Sequence, residues 1–227
     1  MRPAPLPPAT ARPRSDCSRA GWLAEPPRFV ADLSDPHREY VAACAALAAG
    51  ALGEVGLLTR AGGDARWRVR ELAATGMQRV LDRDWSGGMA EVRAWLTRPA
   101  SGEGASARKA LTARAAVAAV AEPRLLKQPP HGAEACAVVN DAVDLLLAVR
   151  ADGRRDPDLR VLRQALGYAV SVVTVAAPDE GVPLLERLAT STDPDARWIA
   201  RENLTKARLR PLGGLLDVAR EASALTT

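Results

Sequence analysis

Apolar residues recur every three or four positions from residue 36 almost to the C-terminus, and glycines and prolines separate the apolar runs. This spacing is typical of amphipathic helices and predicts an all-α fold. The first predicted helix begins at residue 36 and is broken or bent by the glycines at 50, 53 and 56. The others cover about 64–81, 88–97, 107–121, 133–150, 156–177, 182–190 and 194–209, with a short terminal helix after 213–214.

Asp-Pro pairs mark three of the predicted helix starts. Pro36, Pro157 and Pro194 each follow an aspartate, so the acid is placed to cap the helix and the proline to occupy its first turn. Within the helix that begins at Pro157, the stretch 165–175 is apolar nearly all round. We therefore expect this helix to be the most buried one.

Composition supports helices but says little about chemistry. Ala, Leu and Arg are strong helix formers, and the 227 residues carry a formal net charge of +4 with a pI near 9.3. The basic residues are almost all Arg, a bias that genomic base composition can produce, so we discount the pI as a sign of nucleic-acid binding. The three cysteines lack CxxC spacing, and Cys44 and Cys136 lie in apolar runs. Both are predicted to be buried thiols in a reducing compartment.

The chain divides into three parts by composition. Residues 1–35 are rich in proline and are predicted to form a disordered segment. Residues 36–220 form the predicted helical domain, and 221–227 a flexible tail. The longest uncharged run, 164–178, is shorter than a membrane span needs, so the sequence predicts a cytoplasmic protein without membrane contact.

One phrase occurs twice. Residues 64–71 read DARWRVRE and residues 195–202 read DARWIARE, starting 131 residues apart. That distance is close to three steps of about 44 residues, a period found in repeats of paired helices. In each copy an aspartate precedes an arginine by six residues: Asp64 precedes Arg70, and Asp195 precedes Arg201.

An aspartate at a helix start caps free amides, and a long arginine farther along can reach an acid or a carbonyl of the next repeat. Arg114 and Arg163 would continue the series, with steps of 44, 49 and 38 residues between successive arginines. The residues expected to carry the structural repeat are therefore Asp64, Trp67, Arg70, Asp195, Trp198 and Arg201.

These phrases resemble the second helix of a HEAT repeat over roughly residues 36–210. The resemblance implies an α-α superhelix, or solenoid, of about four helical pairs, with an extended concave surface that binds partners. The function it implies is that of a non-enzymatic, monomeric scaffold or adaptor that binds a protein. Trp67 and Trp198 would then be equivalent core anchors between neighbouring repeats.

An alternative function comes from the Trp–Glu pairs. Trp67 and Glu71, like Trp198 and Glu202, are four residues apart and share a helix face. The chain is also similar to DNA alkylation repeat proteins, some of which are glycosylases that use aromatic residues and a carboxylate at this spacing. That similarity implies a DNA-binding or base-excision protein. Its contact residues would be Arg66, Glu71, Arg197, Glu202 and Arg208, unless the arginines form an inter-repeat ladder instead.

Other chemistry is not indicated. His37 and His131 have no ligand partner at helical spacing, and His131 is expected to be solvated beside the Pro129–Pro130 turn. Asp141 and Asp144 lie one turn apart, which suits a solvated face better than a cation site. We therefore predict no metal, no cofactor and no catalytic residue.

Overall fold

The computed structural model of the chain describes residues 36–98, 105–150 and 153–224. Within these ranges it contains α-helices and short 3-10 segments and no strand, so the predicted all-α fold is confirmed. The helices are α1 (Pro36–Leu52), α2 (Val55–Gly62), α3 (Trp67–Arg83), α4 (Trp85–Thr97), α5 (Ala105–Val120), α6 (Pro129–Leu147), α7 (Pro157–Ala176), α8 (Pro178–Ala189), α9 (Pro194–Leu204) and α10 (Asp217–Ala224). The 3-10 segments are Leu125–Lys127, Gly153–Arg155 and Ala207–Leu216.

Local chemistry explains where the helices differ from the predicted bounds. The first predicted run forms two helices because Gly53 adopts a φ of 76°, a conformation that ends α1. Helices α6 and α8 begin about four residues earlier than expected, since their prolines occupy the first turn. Helix α3 begins at Trp67, three residues after the predicted start at Asp64.

The helices pack as two rows. Helices α1, α3, α5, α7 and α9 contact one another in that order, and α4, α6, α8 and α10 form the second row in the same way. Each helix also packs on its neighbours along the chain. All extensive contacts among the described helices therefore join elements that are close in sequence.

Neighbouring helices of the first row run parallel. Between α1 and α3, Arg68 pairs with Glu39 at their starts, and Arg83 donates to the Gly50 carbonyl at 2.6 Å near their ends. The same order of contacts joins α3 to α5 and α7 to α9. This arrangement is compatible with a stack of helical pairs. The superhelical path of a solenoid stays a prediction.

Small residues bring α1 and α3 together. A Cβ atom at Gly50 would lie 2.3 Å from the Cα atom of Gly76, so the two backbones touch. The buried face of α1 is consequently made of alanines, whereas Tyr40 and Cys44 point outward. The prediction that Cys44 is buried is wrong, while the buried Cys136 is confirmed.

Helix α7 lies at the centre of the C-terminal half, where it contacts α5, α6, α8 and α9. Its length and mean hydropathy of 1.2 would also allow a membrane crossing by composition alone, and 56% of that apolar window is buried inside the protein. Ten of its residues are buried, in keeping with the burial predicted for it, but the burial is not all round. Tyr168 and Val175 are 50% and 42% exposed, because no helix among the described residues covers this face.

The two terminal segments fall mostly outside the described residues. The predictions for residues 1–35, including Asp35 as a cap, lie there, and so do Cys17 and residues 225–227. Residues 221–224 belong to α10 and are helical, so the predicted tail begins later than position 221.

Candidate functional site

An open groove of about 520 Å³ lies along the exposed face of α7. Its floor is apolar and comes from one helix face, because Tyr168, Val172 and Val175 are spaced by four and three residues. The seven residue steps from Tyr168 to Val175 rise about 10 Å along the helix axis, or two turns. Ala176 completes the contribution of α7.

Two short segments form the sides of this groove. Pro123, Leu126 and Lys127 come from the connection between α5 and α6, and Arg208 comes from the 3-10 segment after α9. The groove therefore gathers residues from three segments of the chain: the connection between α5 and α6, helix α7, and the 3-10 segment after α9.

The charged groups that line the groove are cationic. The Arg208 guanidinium carbon lies 4.3 Å from the centre of the Tyr168 ring, within the range of a cation–π contact. Lys127 is exposed at the opposite side. Of the described residues that line the groove, none is acidic.

The first copy of the duplicated phrase surrounds the start of α3. Arg66 is buried, and its guanidinium pairs with Asp64 at 2.7 Å; this hydrogen bond raises the pKa of Arg66 despite burial. Arg70 is buried as well and donates to the carbonyls of Asp64 and Ala65 at 2.6 and 2.7 Å. Burial, and then the charge of Arg114, lower the pKa of Arg70. Arg66 and Arg70 thus hold the turn before their own helix.

Trp67 does not take the place predicted for it. It is the first residue of α3 and is 56% exposed, and the expectation that it fills a groove between repeats is wrong. The reason is the late helix start, which leaves the ring beside Arg68 (4.8 Å from its guanidinium carbon) and outside the core.

The second copy lies inside α9, where Asp193 caps the helix and Asp195 is in the first turn. Trp198 is half-buried and packs on the core, with the Arg163 guanidinium carbon 4.3 Å from the centre of its ring. A Cβ atom at position 167 would come within 2.9 Å of the Trp198 ring, so Gly167 makes the room that this ring needs. Here the tryptophan does join two neighbouring helices.

Arginine–acid contacts join successive helices of the first row. Arg114 of α5 donates to Glu71 of α3, and Arg163 of α7 donates to Asp195 of α9 at 2.6 Å. The two arginines expected to continue the repeat thus reach a neighbouring helix. Arg201, by contrast, makes no ion pair within the described part of the chain.

A second set of ion pairs fixes the approach to α7. Arg154 pairs with Asp193 at 2.7 Å and with Asp195 at 3.1 Å. Burial opposes the charge of Arg154, but the two carboxylates outweigh it and raise its pKa. Burial likewise opposes the charge of Asp193, yet the hydrogen bonds from Arg154 and from the Ala196 and Asp195 amides lower its pKa.

Residues expected to contact DNA already have partners inside the chain. Glu71 pairs with Arg114, and Glu202 lies 3.8 Å from Lys206. Arg197 reaches the carbonyls of residues 191 and 192 at 3.4 and 3.3 Å, while Arg208 covers Tyr168. Trp67 and Trp198 each have an arginine over the ring, so in both Trp–Glu pairs the ring and the carboxylate already have cationic partners within the chain.

His131 is not solvated as predicted. Its ring stacks on Trp85 with centroids 3.9 Å apart, and its Nδ1 atom lies 2.9 Å from the Leu125 carbonyl oxygen. This placement follows from the early start of α6, which puts residue 131 inside the helix and against α4. Asp144 accepts a hydrogen bond from Arg187 at 2.8 Å. Within the described residues no group of three or more His, Cys, Asp or Glu side chains is placed to hold a metal.

Sequence reasoning missed the groove itself. Tyr168 and Val175 lie in the run that predicted a fully buried helix, and a helical run alone does not show which side lacks a neighbour. The signal that could have found them is Tyr168, the one aromatic residue within that apolar run.

Comparisons with known proteins leave the family open. No protein-family model matches the chain, no curated protein is similar to it, and no solved structure matches its fold.

Proposed function

We propose that this chain is a non-enzymatic, HEAT-like helical-repeat protein that binds a protein partner, as a scaffold or adaptor, through a concave face formed by its first row of helices. The observation that carries the proposal is the apolar groove on α7, whose exposed Tyr168 and Val175 lie on the surface of that row. Exposed apolar surface bordered by polar residues is typical of interaction sites.

The use of charge in the same row supports this function over catalysis. Arg114 and Arg163 form contacts between helices. Arg66 and Arg70 hold the turn before α3, and Arg154 holds the segment before α7. Charged residues of the row therefore contribute mainly to the stack. The part left for a ligand is apolar with a basic border.

A protein capture experiment tests the proposal. The full chain, immobilised, is exposed to an extract of its native cells, and bound proteins are cross-linked and identified by mass spectrometry. We expect a partner whose cross-links map to α7 and its flanking segments. The Tyr168→Ala variant should lose that partner, whereas Tyr40→Ala, which removes the other exposed tyrosine, should retain it.

The DNA-binding alternative is tested in parallel with a short duplex at low salt. Binding to phosphates weakens steeply as salt rises. A chain that captures no protein but binds the duplex with such a salt dependence would contradict the scaffold proposal and favour the alternative. We expect no binding to the duplex, because the arginines named for it are engaged within the chain.

A further inference from the structure

The groove on α7 is lined by two cations, and none of its described lining residues is acidic. Lys127 and Arg208, the two cations of the groove, have no carboxylate partner in the described part of the chain. They come from the segments that follow α5 and α9, the two helices of the first row that contact α7.

We propose that this groove binds an acidic linear segment of a partner protein, in which an aromatic or aliphatic anchor residue lies between carboxylates. This inference rests on the proposed protein-binding function and specifies the chemistry of the partner. The apolar floor of Tyr168, Val172 and Val175 would hold the anchor. Lys127 on one side and Arg208 on the other would receive the acids.

Charge complementarity selects an acidic occupant. With two unpaired cations and no acid among its described lining residues, the groove repels a basic segment and leaves a neutral one without partners for its cations. Arg208 is held above the Tyr168 ring, a contact that uses one face of the planar guanidinium. Its N–H groups lie at the edge of that plane and can donate to a carboxylate.

The size of the groove favours a short segment over the face of a folded domain. Its volume of about 520 Å³ holds a few side chains, and its floor extends over two helical turns. A segment that presents one or two apolar residues within this length can reach both cations at once. Such a segment is an acidic stretch with an apolar residue inside it.

Selection from a phage library of random linear peptides, with the full chain as bait, tests this inference. We expect the enriched peptides to be net negative and to carry an aromatic or aliphatic residue between Asp or Glu residues. A synthetic, fluorescein-labelled copy of the most enriched peptide then gives affinities by fluorescence anisotropy. Enrichment of neutral or basic peptides, or of none, would overturn the inference.

Variants locate the binding site. Reversing both charges with Lys127→Glu and Arg208→Glu should weaken the acidic peptide by about 10-fold or more. Arg155→Glu, an exposed charge reversal outside the groove, should change the affinity less than about 2-fold. A peptide with its acids replaced by lysine should bind the double variant more tightly than it binds the wild-type chain. This charge swap rules out loss of binding through misfolding, and equal affinity of the acidic peptide for wild type and double variant would overturn the proposal.

The outcomes separate this inference from the scaffold proposal. If the chain captures a protein partner and the double variant captures it equally well, the acidic-segment inference fails while protein binding stands. If no partner is captured and no groove-dependent peptide is enriched, both fail.

Discussion

The two copies of the duplicated phrase share six of eight residues but occupy different surroundings. In the first copy, Trp67 starts its helix and is exposed. Arg66 and Arg70 form hydrogen bonds with the turn that precedes this helix. In the second copy, Trp198 is the fifth residue of its helix and packs between α9 and α7. A shift of the helix start therefore changes the tryptophan from an exposed residue at the helix start, Trp67, into a contact between two helices, Trp198.

The residue after each phrase strengthens this difference. Asn203 follows the second copy, is fully buried, and donates to the carbonyls of Leu166 and Ile199 while it accepts from the Ser171 amide at 2.7 Å. The corresponding residue of the first copy is Leu72, which can make no such bonds. The connection between α7 and α9 thus contains a hydrogen-bonded element that α3 lacks.

The largest expected effect is the difference in stability between the two tryptophan variants. Trp198→Ala should lower the free energy of unfolding by about 3 kcal/mol, near the lower end for a buried aromatic residue because Trp198 is half-buried. Trp67→Ala should change it by less than about 0.5 kcal/mol, as expected for a surface residue. Urea unfolding of both variants checks this contrast. Equal losses would show that the two rings have equivalent roles after all.

A second substitution places leucine, the residue that follows the first copy, at position 203 after the second copy. Asn203→Leu should cost about 2 kcal/mol, since it leaves the Ser171 amide and the Leu166 carbonyl without their side-chain partner. The measurement is again the urea midpoint. Thr205→Ala, an exposed change in the same turn, serves as the control. A stable Asn203→Leu variant would contradict the bridging role.

The arginines that cover the two rings should differ more modestly. Arg163→Gln removes both the pair with Asp195 and the contact with Trp198, and it should cost about 1 kcal/mol. Arg68→Gln removes an exposed contact with Trp67 and Glu39 and should cost only about 0.3 kcal/mol. Thermal unfolding of the two variants decides between unequal and equal roles.

The smallest expected effect is a pH dependence that comes from Asp193, the cap of the helix that contains the second copy. The pKa of Asp193 is lower in the folded protein than its ordinary value, so the stability it contributes is present above pH about 4 and is lost as the pH falls further. Asp193→Asn keeps a good helix cap without the charge. The wild-type chain should therefore lose stability more steeply below pH 4 than this variant. Asp158, whose pKa is raised by burial and by Asp156, acts in the opposite direction in both proteins and cancels in the difference.

The sequence allowed the fold to be predicted better than the site. Helical spacing and the Asp-Pro starts predicted the fold class and most helices, because both are local signals. The register of α3 was not predictable, since Asp64 lies three positions before the helix start and the N-cap residue, Arg66, makes no side-chain cap. The alanine and glycine contact between α1 and α3 was also missed, because apolar periodicity favours large residues such as Tyr40 over the small ones that are buried.

The groove was hidden for a different reason. Whether Tyr168 is buried depends on which neighbours cover α7, and this depends on residues distant in sequence such as Lys127 and Arg208. The duplicated phrase also suggested equal roles for its two copies. The later start of α3 and the packing of Gly167 and Asn203 around the second copy distinguish them.

Amide hydrogen exchange read by mass spectrometry tests most directly the claim that only the tryptophan of the second copy, Trp198, joins neighbouring helices. In a stack of helical pairs, loss of a joint should open the elements it connects and spare distant ones. For Trp198→Ala we expect faster exchange in α9 and in the part of α7 around Gly167, with α1 and α3 unchanged. For Trp67→Ala we expect no change beyond the first turn of α3. Faster exchange throughout α1 and α3 in the Trp67→Ala variant, or a uniform increase in every helix of Trp198→Ala, would contradict it.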